Sequence, residues 1–182
     1  MAKLFLEDGS VVTDFDTVAA TLRTIGYNLQ TWSVGDDEAL AALLQKDALS
    51  TEEKEQVLDT LDHYFQTLKT DKGYAARDLV VLHPAIPGLD EKLKTFATPH
   101  THTDDEVRYV IDGDGVFGLV LSDGEQAEIM VERQEYLSVP ANAEHWFRLS
   151  SSKRIKCIRY FAENPVWQAD FTETKIRITA GA

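Results

Sequence analysis

The stretch Pro99-His100-Thr101-His102-Thr103-Asp104-Asp105-Glu106-Val107-Arg108 carries the densest chemistry in the chain. Two of the five histidines stand one residue apart, and a glutamate follows four residues after the second. On a strand, residues two apart project from the same face. His100 and His102 can therefore aim at one point, and a bend through Thr103-Asp104-Asp105 lets Glu106 join them. Two imidazoles and a carboxylate converging on one spot form a ligand set for a divalent transition metal. A polar, solvated strand edge is the competing reading, and short motifs alone produce false positives.

Outward from this stretch the pattern is that of strands. From Asp78 on, short runs are separated by turns: 79–82, 96–102, 106–111, 116–121, 126–132, 135–139, 145–149 and 155–161. Asp112-Gly113-Asp114-Gly115 and Ser122-Asp123-Gly124 read as hairpin turns. Many short strands with regular turns predict a sandwich or jelly roll. Before them, residues 3–6 and 10–13 flank the turn dipeptide Asp8-Gly9. Helices are expected over 16–25, stopped by Gly26, and over 36–45, with a short strand over 28–33 between them. One long helix is expected over 50–69, opened by a Ser50/Glu53 capping box and striped by Val57, Leu58, Leu61, Tyr64, Phe65 and Leu68. Helices first and strands later give a mainly β, α+β order. The expected organisation is a single domain, 1–182, with a mixed N-terminal part over 1–75 and a β-barrel with its tail over 76–182.

Composition narrows the partners. With 18 basic and 31 acidic residues the formal net charge is −13, which repels nucleic acid and anionic membrane surfaces. The lone cysteine, Cys157, cannot form an internal disulfide, and the opening Met1–Asp8 meets an acid at Glu7 and does not read as a signal peptide. The cytosol is the expected compartment, and a monomer the expected state, since no heptad stripe is present. Cys157 reads as a small buried hydrophobe. His63 lies beside the stripe of the long helix without an acid or histidine at matching spacing, and His83 precedes Pro84; both read as structural.

The fifth histidine, His145, sits in Val139-Pro140-Ala141-Asn142-Ala143-Glu144-His145-Trp146-Phe147, 43 residues after His102. A lone histidine among aromatics is more often a packing residue than a ligand. An antiparallel meander, however, can lay this strand beside the first motif, and a turn-forming Pro-Ala-Asn leads into it. In combination, His-x-His-x₃-Glu and a distant Pro-x₄-His are far more specific than either half.

These residues resemble the cupin superfamily, whose first motif is carried by His100, His102, Glu106 and Gly113 and whose second is carried by Pro140 and His145. Lys94, Gln134, Asn142 and Leu149 depart from the general pattern, where glycines and an asparagine are often found, and push towards one branch. Residues 100–108, 139–147, Ile158-Arg159-Tyr160-Phe161 and Glu163-Asn164-Pro165-Val166-Trp167 are similar to the bacterial acireductone dioxygenase family, in the same order and with closely similar spacing. The resemblance implies a cupin-type double-stranded β-helix with N-terminal helical additions and one bound Fe²⁺ or Ni²⁺ held by His100, His102, Glu106 and His145. It also implies a role in methionine salvage. The substrate would be 1,2-dihydroxy-3-keto-5-methylthiopentene, an acireductone, cleaved with O₂. The iron form would give 4-methylthio-2-oxobutanoate and formate; the nickel form would give 3-methylthiopropanoate, formate and carbon monoxide.

Residue chemistry leads the same way. Three neutral imidazoles and a carboxylate suit Fe²⁺ or Ni²⁺, and would also accept Zn²⁺ or Mn²⁺. Four protein ligands on a six-coordinate ion leave two positions that an enediolate could fill by chelation. Arg108, two residues from Glu106, is expected to face the same pocket and steady the enediolate oxygens; an ion pair with a nearby acid is its alternative role. Arg159 shares a strand face with Ile155, Cys157 and Phe161, a placement that calls for an anionic partner. Phe96, Phe147 and Trp167 match aromatic positions near the family's site, where they could shield a methylthio tail or serve as plain core. The competing functions are another cupin metalloenzyme, such as a quercetin-type dioxygenase or an isomerase, and a non-catalytic cupin that binds a small molecule.

Overall fold

The computed structural model describes residues 1–163 and 168–179. Asp8-Gly9 turns the chain between β1 (Lys3–Leu6) and β2 (Val11–Val12), which pair antiparallel. Helix α1 (Phe15–Arg23) starts at Asp14, whose carboxylate accepts from the Thr17 amide at 2.9 Å. Gly26 closes it in the left-handed region (φ +84°), and β3 (Asn28–Thr31) follows. Asp37 caps α2 (Glu38–Leu44). The Ser50/Glu53 capping box opens α3 (Thr51–Thr60) as expected. The single helix expected over 50–69 is two helices: the backbone leaves helical geometry at Leu61 (φ −101°, ψ 14°) before α4 (Asp62–Lys72). The apolar stripe continues across the break, because Leu61 itself is buried, so periodicity alone cannot register it. Arg77 binds both Asp59 and Asp62, joining the two helix ends.

Gly73 ends α4 and leads into β4 (Tyr74–Leu82). Helix α5 (Leu89–Ala97) then takes the first two residues of what the sequence suggests as a strand over 96–102, and only β5 (His100–Thr101) is a strand there. The correction has a simple cause: Leu89, Leu93 and Phe96 recur at helical spacing and line one cavity. A second correction concerns Asp112-Gly113-Asp114-Gly115, which is not a hairpin turn. It lies within the continuous strand β6 (Glu106–Val120). Strands β7 (Gln126–Glu132), β8 (Glu135–Val139), β9 (His145–Leu149), β10 (Ile155–Ala162) and β11 (Asp170–Phe171) complete the fold, with the Ser122–Gly124 turn joining β6 to β7.

Among the described residues all pairings are antiparallel and build two sheets that share β6. One runs β11-β5-β9-β6-β7-β1-β2 through the second half of β6. The other runs β3-β8-β6-β10-β4 through its first half. The strand changes sheets at a bulge, where Lys156 faces Asp112 but Cys157 faces Val110. Gly113 beside it has φ +75°, and a Cβ there would fall 2.1 Å from the Arg154 carbonyl oxygen. Gln134 and Asn142, two of the departures from the cupin pattern, also take the left-handed backbone that favours glycine (φ 71° and 62°).

Strand alternation sorts the core into two. Val110, Ile155, Cys157, Leu137 and Val139 fill the space between the sheets. Val107, Tyr109, Ile158 and Tyr160, on the opposite faces of the same strands, pack outward against residues of α2, α3 and α4. The result is a mainly β, cupin-type barrel with helices added outside it. Among the described residues no helix is long and apolar enough to cross a membrane.

Candidate metal centre

The barrel brings the two halves of the sequence signal together. His100 on β5 stands directly opposite His145 on β9, and His145 in turn faces Leu119 of β6. Glu106 opens β6 opposite Val139 of β8. His102 follows β5, where its carbonyl accepts from the Asn142 amide at 2.8 Å, tying the first motif to the loop that precedes His145. All four side chains are buried. One potential ligand nitrogen from each of His100, His102 and His145 lies within 4.8 Å of the other two. Glu106 Oε2 is 3.3 Å from His102 Nε2 and 3.7 Å from His145 Nε2.

Each ring is oriented by a backbone carbonyl. The Nδ1 atoms of His100, His102 and His145 meet the carbonyl oxygens of Thr98 (2.8 Å), Asp104 (2.6 Å) and Ala143 (2.9 Å). A carbonyl can only accept, so each Nδ1 carries the proton and donates it, which leaves Nε2 as the atom available for a cation. His145 Nε2 is buried without a hydrogen-bond partner. An imidazole nitrogen desolvated in this way gains nothing in return, and a divalent cation in the cluster would satisfy it. Three imidazole nitrogens beside one carboxylate are therefore residues that fit such a metal.

The local charge balance is set by neighbours. Arg108 Nη2 lies 2.9 Å from Glu106 Oε2, and both side chains are about a tenth exposed or less. Burial pushes the Glu106 carboxyl upward, but Arg108 and the hydrogen bond with His102 outweigh it and hold the group well below the usual carboxylate range. Burial lowers the His100 imidazole, while the hydrogen bond to Glu106 raises His102. The ion pair that was the alternative role for Arg108 thus exists, and its partner is the candidate ligand itself.

Beside the cluster lies a cavity of about 270 Å³. His100, Glu106, Arg108, His145 and Arg159 form its polar end. Val80 and Leu82 of β4, Ile86, and Leu89, Leu93 and Phe96 of α5 line the rest, with Phe117 and Phe147 tilted against one another, their ring centres 5.0 Å apart. Phe147 and Phe96 both reach the wall; Phe96, on the helix, is 44% exposed. Arg159 stands opposite Arg108 on β6 and opposite Asp78 on β4, and Asp78 takes its guanidinium through two hydrogen bonds, one of 2.7 Å. This is the anionic partner that its apolar strand face calls for. Trp167 lies outside the described residues, as do Asn164 and Pro165. Cys157 lines the cavity with its thiol pushed up to about 12 by burial, as befits a hydrophobe. His63 packs on Tyr64 on the outer helices, and His83 lies in the β4–α5 connection; neither belongs to the cluster. Sequence reasoning missed the α5 wall, which its Leu89/Leu93/Phe96 spacing could have signalled, and Asp78, which nothing local marks.

A family model described as the ARD/ARD′ family matches residues 12–169. An acireductone dioxygenase of Microcystis aeruginosa is 49% identical over 177 residues, covering 97% of this chain and 96% of the relative. One from Trichodesmium erythraeum is 44% identical over 176 residues, with 97% of each chain covered. Among solved structures, acireductone dioxygenase from Bacillus anthracis with a cadmium ion in its active centre superposes with a TM-score of 0.87. It is 29% identical, and the match covers 94% of this chain and 98% of that one.

Proposed function

The chain belongs to the ARD/ARD′ family of metal-dependent dioxygenases, and on that premise we propose that it cleaves an acireductone with O₂ on an Fe²⁺ or Ni²⁺ ion held by His100, His102, Glu106 and His145. One observation carries the reading: three histidines with their Nδ1 protons pinned to carbonyls meet a buried carboxylate at the polar end of an otherwise apolar cavity.

A divalent ion held by His100, His102, Glu106 and His145 would supply Lewis acidity that lowers the pKa of the substrate's hydroxyls. The protein's residues do the rest. Carbonyl-fixed Nδ1–H groups set the tautomer of the three imidazoles and hold the rings in place. Glu106 contributes the negative charge, and Arg108, 2.9 Å away, keeps it ionised and offers a second guanidinium edge to the anionic oxygens of the substrate. Arg159, held by Asp78, adds positive potential at the same end of the cavity. Phe147, Phe96, Leu89 and Leu93 give a methylthio tail an apolar berth and exclude water from the reacting end. The reductant is the substrate, so no redox-active side chain is required.

With iron the products are 4-methylthio-2-oxobutanoate and formate, and with nickel 3-methylthiopropanoate, formate and carbon monoxide, a place in methionine salvage. The buried, unpaired Cys157 is consistent with a reducing cytoplasm, and the net charge of −13 favours a monomer. The test is to strip the protein of metal, reload it separately with Fe²⁺ and Ni²⁺, and follow O₂ uptake and products with the acireductone. Consumption of O₂ with neither ion would overturn the reading, and consumption with a flavonol instead would move it to another cupin oxygenase.

A further inference from the structure

Tyr27 has no part in the centre described above, yet its surroundings are unusual for a tyrosine. It is 2% exposed, and its hydroxyl is buried without a hydrogen-bond partner. A buried tyrosine normally finds a partner for its O–H, because leaving the group unpaired costs stability. Within the core between the sheets Tyr27 is grouped with Val110, Leu137 and Val139.

The backbone fixes its position. The Tyr27 amide donates to the Leu22 carbonyl at 3.1 Å and the Gly26 amide to Arg23 at 3.2 Å, which together make the Schellman closure of α1. Asn28 then pairs with Ser138, so Tyr27 enters the sheet level with Val139, and Val139 pairs with Glu106. Residues directly opposite one another on antiparallel strands share a face. Tyr27, Val139 and Glu106 therefore form one row across the inner face, and Leu29, Leu137, Arg108 and Arg159 form the next. Two strands apart, the backbones are separated by ~10 Å, and on the concave inside of a barrel the side-chain tips converge to less. The phenol feels this proximity: burial first, and then the negative charge of Glu106, hold its proton on far above the ordinary range.

We propose that Tyr27 is a positioning residue for Glu106. Its O–H donates to the carboxylate through one bound water and fixes the turn of that carboxylate towards the three histidines. The pairing is chemically matched, since a phenol that keeps its proton is available as a donor and an ionised carboxylate can only accept. The contacts described for Glu106, from His102, Arg108 and His145, all fall on Oε2, and Tyr27 approaches from the β8 side of the row. This role rests on the metal-centre reading, and the experiment separates the two.

Full-length Tyr27→Phe and wild type, both stripped of metal, are titrated with Ni²⁺ by calorimetry, and the ligand-field spectrum of the bound ion and the metal-free Tm are recorded. Loss of a group that orients a ligand weakens metal binding by roughly 10- to 100-fold. The expected result is a weakening of that size with a shifted Ni²⁺ spectrum and no gain in Tm. A merely stranded hydroxyl predicts the reverse, a higher Tm with unchanged affinity and spectrum, and that outcome overturns the proposal. Leu29→Ala, one row away, is the control for general loosening. It lowers Tm and leaves Ni²⁺ affinity unchanged if the proposal holds; if it weakens Ni²⁺ binding as much as Tyr27→Phe does, the effect is packing and the proposal falls. Wild type that takes up no Ni²⁺ overturns the metal centre itself, and the role of Tyr27 with it.

Discussion

Gly118 offers a way to move the candidate metal centre from outside it. The residue lies opposite Trp146 in the β6–β9 pair, one rung from Leu119 opposite His145. A Cβ at position 118 would fall 1.7 Å from Trp146 Cε2 and 2.2 Å from Cδ2 and Cζ2. Ordinary contact begins near 3.4 Å, so the indole or the strand carrying it must retreat by about 1.7 Å. Trp146 is 1% exposed and has nowhere to swing. The movement therefore passes into β9 and lifts His145 away from His100 and His102. Overpacking of this kind costs ~3 kcal/mol, which for a chain of this size lowers Tm by about 6–12 °C. Displacement of one ligand should weaken Ni²⁺ binding by at least about 10-fold. Gly118→Ala is compared with Gly118→Ala/Trp146→Leu by thermal denaturation and Ni²⁺ calorimetry. The smaller side chain restores room, so the double variant should recover most of the metal affinity. A single variant with the Tm and Ni²⁺ affinity of wild type would refute the reasoning.

Other perturbations probe the electrostatics and the cavity. Arg108→Ala, compared with wild type at equal metal content, should lose about 10²-fold in kcat/KM, the scale for removing one charge-stabilising donor; an unchanged value would remove Arg108 from substrate binding. Burial raises the pKa of Glu135, against the hydrogen bonds from the Glu132 and Ala2 amides. The folded state therefore binds more protons there than the unfolded chain from the ordinary carboxylate value upward, and this contribution to stability is lost as pH rises through the raised pKa. Glu135→Gln should make the slope of stability against pH less negative in that window, and equal slopes in denaturant titrations would contradict the assignment. Cys157, buried and with its thiol pushed up to about 12, should resist thiol reagents at pH 8 in the native protein and react at once on denaturation; rapid native labelling would show that the cavity wall opens.

The candidate ligands were legible because each half of their pattern is local. A two-residue spacing on a strand gives His100 and His102 a common direction, and the same spacing puts Glu106 and Arg108 on one face of β6. Most strand boundaries were equally local: 126–132 and 135–139 follow directly from apolar runs between turn residues. Capping chemistry fixed the start of α3 at Ser50. The approach of His145 to the first motif was an inference about topology, and the pairing of His100 with His145 across β5 and β9 is what brings them together.

Where local signals gave another answer, a distant partner decided. Asp112-Gly113-Asp114-Gly115 has every mark of a hairpin, yet β8 and β10 hold one side of it and β7 and β9 the other, so the chain runs straight through as one strand that changes sheets. The break at Leu61 leaves the apolar stripe intact and is bridged by Arg77 from β4. Arg159 announced the need for an anion but could not name Asp78, 81 residues away. Tyr27 carries no motif at all, and only the row Tyr27–Val139–Glu106 links it to the centre. The sequence by itself determined which residues are candidate metal ligands, because ligand type and strand period are properties of neighbouring residues. Tertiary structure decided what surrounds them, because cross-strand register, the wall supplied by α5 and the partners of buried charges depend on residues far apart in the chain.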